Sequence, residues 1–387
     1  QALEFWDRAA ERADTVSDSL GGDIATQHKA LAGIYAKAGD AAFLALDYQK
    51  AADRYEAASK EVAEIDRGLG AAYKKQQAEA LTSLGEFGGE TDKLNDALQL
   101  YDEVMSYLDS QSDDDAWADA YNEFGYALMT YGERQDGTEY LDDAEHAFTE
   151  VGKIWTRDGK PADWARVQNN LGNVYASLGD RGQDPQRWQQ AMAAYTDALS
   201  VWTEDDSPLD WARAQNNLGT VLHSLGTYSK DADQLGLSVE AYQAALRQWT
   251  LKAAPYDYAV AQNNLGNALT DRAKYSKSDA DYQAGIDAYA TALTVWSKDR
   301  QPLQWAAVQN NIGAAYATIG RGEKGTESLA KAVDAYMRCL TARTRDNYPL
   351  NWALTEYNMG WVLVDFADRT KQAGSGQQAA EAVTSSL

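Results

Sequence analysis

Apolar residues in this chain recur at helical spacing, and they do so in paired segments. Within one pair, apolar residues at offsets of 0, 3, 7, 10 and 14 form two successive stripes, Trp164, Val167, Leu171, Val174 and Leu178, then Trp188, Ala191, Tyr195, Ala198 and Trp202. Each stripe is the apolar face of an amphipathic helix. A polar stretch separates the two stripes. The pattern therefore predicts two antiparallel helices, A and B, in each pair.

The paired segments repeat with a period of 47 residues. One column at this spacing contains Trp117, Trp164, Trp211, Tyr258, Trp305 and Trp352. Four of its members begin the related segments WARVQNNLG, WARAQNNLG, YAVAQNNLG and WAAVQNNIG. Because proline lacks an N–H group, it is expected to stop one helix before the next begins at Pro161, Pro208, Pro255, Pro302 and Pro349. Left-handed caps are expected just after helix A at Gly179, Gly226 and Gly320.

The repeat determines the expected architecture. A single helix pair has too small a core to fold alone, so neighbouring pairs must stack and bury the stripes together. This predicts an all-α solenoid of antiparallel helix pairs, with Leu218 at the centre of one buried stripe. We expect an N-terminal capping helix in residues 1–23, seven helix pairs in 24–351, a solitary C-terminal helix in 352–370 and a tail or linker in 371–387.

The small and aromatic positions of the repeat resemble those of the tetratricopeptide repeat (TPR) family. The resemblance covers most of the chain and is carried by Leu171, Gly172, Tyr175, Ala191, Tyr195, Ala198 and Pro208. The period of 47 is longer than the family's usual period of about 34. QNNLG is similar to the longer repeats of the kinesin-light-chain type. The resemblance implies a right-handed superhelix whose concave surface, lined by A helices, holds a peptide or a partner protein.

Composition excludes several classes of partner. The chain has 35 Lys and Arg against 59 Asp and Glu, a net charge of −24, which argues against nucleic acid or an anionic membrane surface as the main partner. No apolar run approaches the roughly 20 residues of a membrane span, so no membrane insertion is expected. If Gln1 is a processed N-terminus, the expected location is periplasmic or secreted, and otherwise it is cytoplasmic. Cys339 is alone and takes a packing position in the Ala198 column.

The polar arc of helix A is the candidate binding surface, and it is rich in asparagine. Two interpretations stay open for the recurrent Asn pair: the amides hold the backbone of an extended ligand, or they bond between neighbouring A helices. The wheel angle suggests a division of these roles. The predicted ligand-binding set is Arg166, Asn169, Asn173, Arg213, Asn216, Asn263, Asn267 and Asn310. The predicted inter-repeat set is Asn170, Asn217, Asn264 and Asn311.

The sequence offers little chemistry for catalysis or metal binding. His28, His146 and His223 are too far apart in a solenoid to converge, and no Ser, Cys or carboxylate motif accompanies them. The acidic loops at 109–119 and 231–233 lack the spacing of an EF-hand. We therefore expect no enzyme, no cofactor and no metal. His223 lies on the concave arc, where a ligand contact is the alternative to a structural role.

Two functional hypotheses follow. The first is a non-enzymatic scaffold that binds an extended peptide or partner protein in the Asn-rich concave groove. The alternative is a structural protein that assembles end to end into a homo-oligomer or filament. This alternative rests on a last helix that is apolar on several sides, through Tyr357, Met359, Trp361, Val362, Val364 and Phe366.

Overall fold

The computed structural model describes residues 4–10, 24–109 and 113–372, and all regular secondary structure in these ranges is α-helical. The chain divides into two compact units, Gln1–Val201 and Trp202–Leu387. Each unit is a stack of antiparallel helix pairs in which a helix contacts its own partner and the next pair. The all-α repeat architecture predicted from the sequence is confirmed. None of the described helices is both long enough and apolar enough to cross a membrane.

The first unit contains helix α1 at residues 4–10 and four helix pairs. The pairs are α2 (Ile24–Leu44) with α3 (Tyr48–Val62), α4 (Arg67–Gly88) with α5 (Thr91–Leu108), α6 (Asp114–Gly132) with α7 (Glu139–Ile154), and α8 (Pro161–Gly182) with α9 (Pro185–Leu199). Helix α1 covers the first pair, because Ala10 lies in one apolar cluster with Leu31 and Tyr35. The Asp7 carboxylate also accepts a 2.5 Å hydrogen bond from the Lys50 ammonium.

The second unit contains three helix pairs and a last helix. The pairs are α10 (Pro208–Ser229) with α11 (Ala232–Gln248), α12 (Pro255–Ser276) with α13 (Asp279–Ala292), and α14 (Pro302–Gly322) with α15 (Glu327–Leu340), followed by α16 (Pro349–Gln372). Lys371 and Gln372, expected in the tail, belong to α16. Residues 11–23 of the expected capping helix and 373–387 of the expected tail lie outside the described residues.

The repeated prolines are the first residues of their helices. Pro161, Pro208, Pro255, Pro302 and Pro349 begin α8, α10, α12, α14 and α16. Proline fits this position because the first helical N–H has no intrahelical partner. Side chains cap the B helices, since Asp184 accepts from the Gln186 backbone N–H at 2.9 Å and Asp231 from that of Gln234 at 3.2 Å. Helix ends are therefore specified by local signals within these repeats.

The glycines expected to cap helix A have a different role. Gly179, Gly226 and Gly320 lie inside their helices. The residue after α8 is Gln183 and that after α10 is Lys230, both left-handed with φ of 48° and 57°, whereas Glu323 after α14 is extended. A Cβ atom on Gly179 would lie 2.5 Å from the Trp188 ring. The glycine is required because the first large side chain of helix B packs directly on the backbone of helix A.

A second glycine column lies under the central tyrosine of each B helix. Cβ atoms added at Gly172, Gly219, Gly266 and Gly313 would lie between 2.5 and 2.9 Å from the rings of Tyr195, Tyr242, Tyr289 and Tyr336, respectively. These four tyrosines are buried. The two glycine columns therefore set the distance between the helices of a pair. Leu218, expected at the centre of a stripe, is only partly buried.

Three arginines close the end of the preceding A helix, a feature that the sequence analysis missed. The Arg181 guanidinium donates to the carbonyls of Gly132 and Gly137, one repeat earlier. Arg134 donates to the Glu86 carbonyl at 3.0 Å. Arg369 donates to the Gly320 carbonyl at 2.5 Å and to three further carbonyls near the end of α14. Each arginine satisfies carbonyls that the helix end leaves without an intrahelical partner.

Candidate functional site

The second Asn of each pair joins neighbouring repeats. Its Nδ2 group donates to the Oδ1 atom of the first Asn column in the preceding repeat. Three such bonds are Asn170 to Asn122 at 3.4 Å in the first unit, and Asn264 to Asn216 at 3.3 Å and Asn311 to Asn263 at 3.4 Å in the second. Asn217, in the same column on α10, is partly buried. The amides thus form a ladder along the A helices.

The first Asn of each pair takes part in the same ladder, which changes its expected role. Asn169 and Asn216 are 4% and 7% exposed, so neither presents its amide on an open groove. Asn263 accepts from Asn311, and Asn310 accepts a 3.4 Å bond from the Thr355 hydroxyl of α16. The wheel angle could not show this, because the face directed at the groove is also the face directed at the next A helix.

A third polar column on helix A holds the tyrosines of helix B. The Tyr195 hydroxyl donates to Asn173 Oδ1 at 2.7 Å, and the Tyr289 hydroxyl donates to Asn267 Oδ1 at the same distance. Asn267 also accepts from Asn311 at 3.0 Å. Asn173 and Asn267, expected to bind a ligand, therefore already hold a core side chain.

The two predicted cationic contacts are engaged by acidic neighbours. Arg166 lies 3.0 Å from Asp163 and its guanidinium lies over the Trp155 ring, 4.9 Å from the centroid. Arg213 lies 2.9 Å from Asp210 and is exposed. Exposed pairs of this kind contribute little to stability, so both guanidinium groups can exchange partners with a ligand.

The ladder predicts a matched pair of stability losses. Replacing either Asn216 or Asn264 by Ala should lower the free energy of unfolding by about 1 kcal/mol or more, because each change leaves one amide of the pair unmatched. Asn358→Ala is the control, since this residue occupies the second column on α16 and makes no hydrogen bond within the part of the chain that the structure describes. Urea unfolding of the three variants measures the difference. A loss for Asn264→Ala without one for Asn216→Ala would restore the original division of roles.

The second unit contains a pocket of about 640 Å³ where this polar pattern is interrupted. The third column reads Asn173, Thr220 and Asn267 in three successive repeats, and Ala314 in the next. The shorter side chain leaves space above Tyr336, which lines the pocket together with Asn267, Asn311, Ala314 and residues of α10, α12 and α16. Among the described residues, the Tyr336 hydroxyl has no hydrogen-bond partner. Burial raises the pKa of Tyr336 to about 12, so the hydroxyl keeps its proton near neutral pH.

One wall of the pocket is charged. The His223 ring nitrogen Nε2 lies 2.7 Å from the Asp271 carboxylate, and Lys274 lies 2.5 Å from the same carboxylate. Burial raises the pKa of Asp271, but hydrogen bonds from His223 and Lys274 outweigh it, and the net pKa is lowered. Asp271 is therefore ionised near neutral pH. With Arg321 at the end of α14, the lining holds two cationic side chains and one anionic side chain in a strongly acidic protein.

The opposite wall is aromatic. Tyr357 and Trp361 on α16 meet edge to face, with their ring centroids 6.3 Å apart. Both rings are more than half exposed and line the pocket. The pocket thus combines amides, a tyrosine hydroxyl, charge and aromatic surface. Such a mixture suits a ligand with both a backbone-like polar edge and apolar side chains.

The described residues contain no group of three or more His, Cys, Asp or Glu side chains arranged to hold a metal ion. Cys339 is buried, with its Sγ atom 3.6 Å from the Thr355 hydroxyl. The sequence contained a signal for the pocket, because Ala314 breaks a polar column. The contribution of Tyr336 could not be predicted from the sequence. Its hydroxyl lacks a partner among the described residues because Ala314 replaces the asparagine that accepts the equivalent bond in other repeats.

Comparison with known proteins finds only distant structural matches. No protein family model and no curated protein sequence matches the chain. Solved structures do match, and one is BtubC (BKLC) from P. vanneervenii, at 18% identity with a TM-score of 0.46, covering 64% of this chain and 91% of that chain. The apo form of the quorum sensor NprR from B. thuringiensis is 14% identical with a TM-score of 0.48, and the match covers 90% of this chain and 95% of that chain. A Rap protein complexed with Competence and Sporulation Factor is 14% identical with a TM-score of 0.46, and the match covers 90% of this chain and 94% of that chain. All three are distant matches, with TM-scores below 0.5.

Proposed function

We propose that this protein is a non-enzymatic binding scaffold that holds an extended peptide or a segment of a partner protein in the pocket of its second unit. The observation that carries the proposal is the interruption of the polar column at Ala314. It opens a 640 Å³ pocket above the Tyr336 hydroxyl, which has no partner among the described residues. This volume lies within the range of about 300–1,000 Å³ typical of ligand pockets.

The lining matches the needs of a peptide. A peptide backbone presents alternating N–H and C=O groups, and Asn311 and Tyr336 offer donors and acceptors to it. Tyr357 and Trp361 offer large rings with low conformational entropy to an apolar side chain. The hydroxyls of Tyr195 and Tyr289 are used in internal bonds, whereas the Tyr336 hydroxyl is left for a ligand. The proposal therefore moves the binding site from the whole Asn groove to one segment of it.

The repeat itself supplies the substitution that tests the site. Ala314→Asn should place an amide where Asn267 holds Tyr289, so that it accepts from Tyr336 and occupies the space directly above that ring. We expect at least a tenfold loss of peptide affinity with unchanged or slightly raised thermal stability, because one buried hydrogen bond is added. A random-peptide display library selected on the wild-type protein supplies the probes, and isothermal titration of the selected peptides measures their affinity.

Ala162→Asn is the matched control, because it introduces the same amide on an exposed position of α8, in the other unit. This variant should bind the selected peptides as the wild type does. Equal binding to Ala314→Asn, or a library that yields no peptide on the wild type, would contradict the proposed site. Circular dichroism of the Ala314→Asn variant separates folding from binding, because the exchange should leave the helix content unchanged.

A further inference from the structure

The last helix carries a continuous apolar stripe that no described residue covers. Its members and their exposed fractions are Leu350 at 85%, Leu354 at 56%, Tyr357 at 62%, Trp361 at 54% and Val364 at 52%. They follow one another at steps of 4, 3, 4 and 3 residues. This is the a/d spacing of a helix that pairs with another helix along one seam. An exposed apolar surface of this extent marks an interaction site.

The chain segment that carries the stripe is almost free of charge. Between residues 347 and 364, Glu356 is the only charged residue, although 24% of the whole chain is charged. Charge depletion around an apolar centre is typical of the core of a protein interface. In a chain of net charge −24, this is also the kind of surface through which two identical copies can approach.

Gly360 shows that the open face extends toward the position that a B helix takes in the other repeats. In the four preceding repeats, the glycine of this column lies against a tyrosine ring of helix B. A Cβ atom on Gly360 would meet no described atom within 4 Å. The backbone of α16 is therefore accessible beside Trp361, which leaves room for a large side chain from a partner.

At the other end of the chain, helix α1 covers part of the first helix pair. Helix α1 covers the first helix pair with Trp6 and Ala10, and Asp7 bonds to Lys50 and lies 3.6 Å from Arg54. A head-to-tail contact would need a second, different surface that fits the stripe. A contact of α16 with itself needs only the open end. A two-fold arrangement is also the commonest symmetry of homo-oligomers.

We propose that two copies of this chain pair through α16, antiparallel and about a two-fold axis near Tyr357. In this arrangement Leu350 faces Val364 of the second copy, Leu354 faces Trp361, and Tyr357 faces its own counterpart. Each layer combines uncharged side chains, with Trp361 opposite a leucine and the two Tyr357 rings opposite each other. The pairing closes the array as a dimer and replaces the open filament considered from the sequence.

The size of the stripe predicts a moderate affinity. Five side chains with these exposed fractions cover roughly 500–600 Å² per copy, which is below the about 800 Å² per partner of a standard stable interface. We therefore expect a dissociation constant on the order of micromolar. Because both copies carry the same large negative charge, added salt should strengthen the association by screening their repulsion.

Sedimentation velocity across concentration and salt tests the pairing with Leu350→Asp and Leu354→Asp. Neither residue lines the pocket, so these variants separate dimer formation from peptide binding. The wild type should shift from monomer to dimer as concentration rises, and the shift should occur at lower concentration in high salt. Both variants should stay monomeric, and Leu303→Asp, an exposed leucine on α14, should dimerise as the wild type does.

Disulfide trapping tests the symmetry directly. In a Cys339→Ser background, Tyr357→Cys should form a covalent dimer on mild oxidation, because a two-fold axis near this position brings its own copy within disulfide reach. Glu356→Cys, one residue away on another face of the helix, should not be trapped. Circular dichroism confirms that each variant is folded.

Three outcomes would overturn the proposal. A wild type that is monomeric throughout excludes the pairing, and a chain ending at Gln372 that then dimerises would assign the stripe to residues 373–387 instead. Oligomers that grow beyond the dimer would indicate an open assembly. Dimers that persist in Leu354→Asp and weaken with salt would place the contact on a charged surface elsewhere. Tyr357 and Trp361 belong both to the stripe and to the pocket, so a peptide and a second copy would compete for their rings. The Ala314→Asn variant therefore tests peptide binding at concentrations where the chain is monomeric.

Discussion

Replacing Trp188 by alanine is expected to lower the free energy of unfolding by about 3–5 kcal/mol, because it empties the largest fully buried side-chain position. The indole is 2% exposed, lies against the backbone of Gly179 and donates through Nε1 to Asp180 at 2.8 Å. Urea unfolding measures the loss. Trp188→Leu should cost clearly less, because other repeats carry leucine at this position, among them Leu94, Leu141 and Leu235.

The same variant tests whether the chain unfolds as a repeat array. Because each helix pair contacts only its neighbours, hydrogen exchange should rise first in α8 and α9 and then in the adjoining α6 and α7. Helices α14 to α16 should keep their protection under the same conditions. An equal rise along the whole chain would indicate one shared cooperative core instead.

Gly266→Ala and Gly360→Ala are expected to change stability in opposite directions, although they are the same substitution in the same repeat column. At Gly266, the new Cβ atom would lie 2.5 Å from the Tyr289 ring and must push helices α12 and α13 apart. Overpacking of this kind costs about 1–3 kcal/mol. At Gly360 no described atom lies within 4 Å, so alanine should stabilise the helix by about 0.5–1 kcal/mol.

The two variants are compared by chemical unfolding at low protein concentration, where the chain is monomeric. If both substitutions stabilise the protein, the close approach of helix B to the glycine column is wrong. If both destabilise it, the backbone of Gly360 is covered by something other than the described residues. The comparison therefore checks the pair geometry and the open face of α16 together.

The repeat period and the helix pairs could be predicted from the sequence because they depend on local signals. The aromatic columns, the prolines before Trp164 and Trp211, and the alternation of stripes all act within one repeat. Helix starts in particular follow from the missing N–H of proline. These signals remain valid whatever the neighbouring repeat does, and the helices begin where they indicate.

Glycine and asparagine were harder to interpret, because each has two physical uses. Gly179 near the end of a predicted helix suggested a left-handed cap, yet it provides space for Trp188, and Gln183 takes the left-handed conformation. Asn216 on a polar arc suggested a ligand contact, yet it accepts from Asn264. The roles of Gly179 and Asn216 both depend on how close another helix lies, and the pattern of one repeat does not contain this distance.

The break of the polar column at Ala314 is visible in the sequence, but its consequence for the pocket is not, for a related reason. Predicting it requires knowing that Asn267 uses its carbonyl oxygen to hold Tyr289, so that alanine at 314 leaves Tyr336 without the equivalent bond. The alanine at 314 predicts a pocket only when the hydrogen bond that it removes is known from the structure. Comparison of the repeats nevertheless supplies the test variant, because Ala314→Asn introduces the residue that the preceding repeat has at Asn267.

Because of the arginine contacts, truncation from the N-terminal side and truncation from the C-terminal side should affect the remaining helices differently. Arg181 and Arg369 each complete a helix that ends some 44 to 49 residues earlier in the chain. A version that stops after α15 would retain every residue of α14 and yet leave its terminal carbonyls unpaired. A chain shortened from the N-terminal side keeps the arginine donor of every A helix that remains. Truncation from the front should therefore be tolerated far better than truncation from the back.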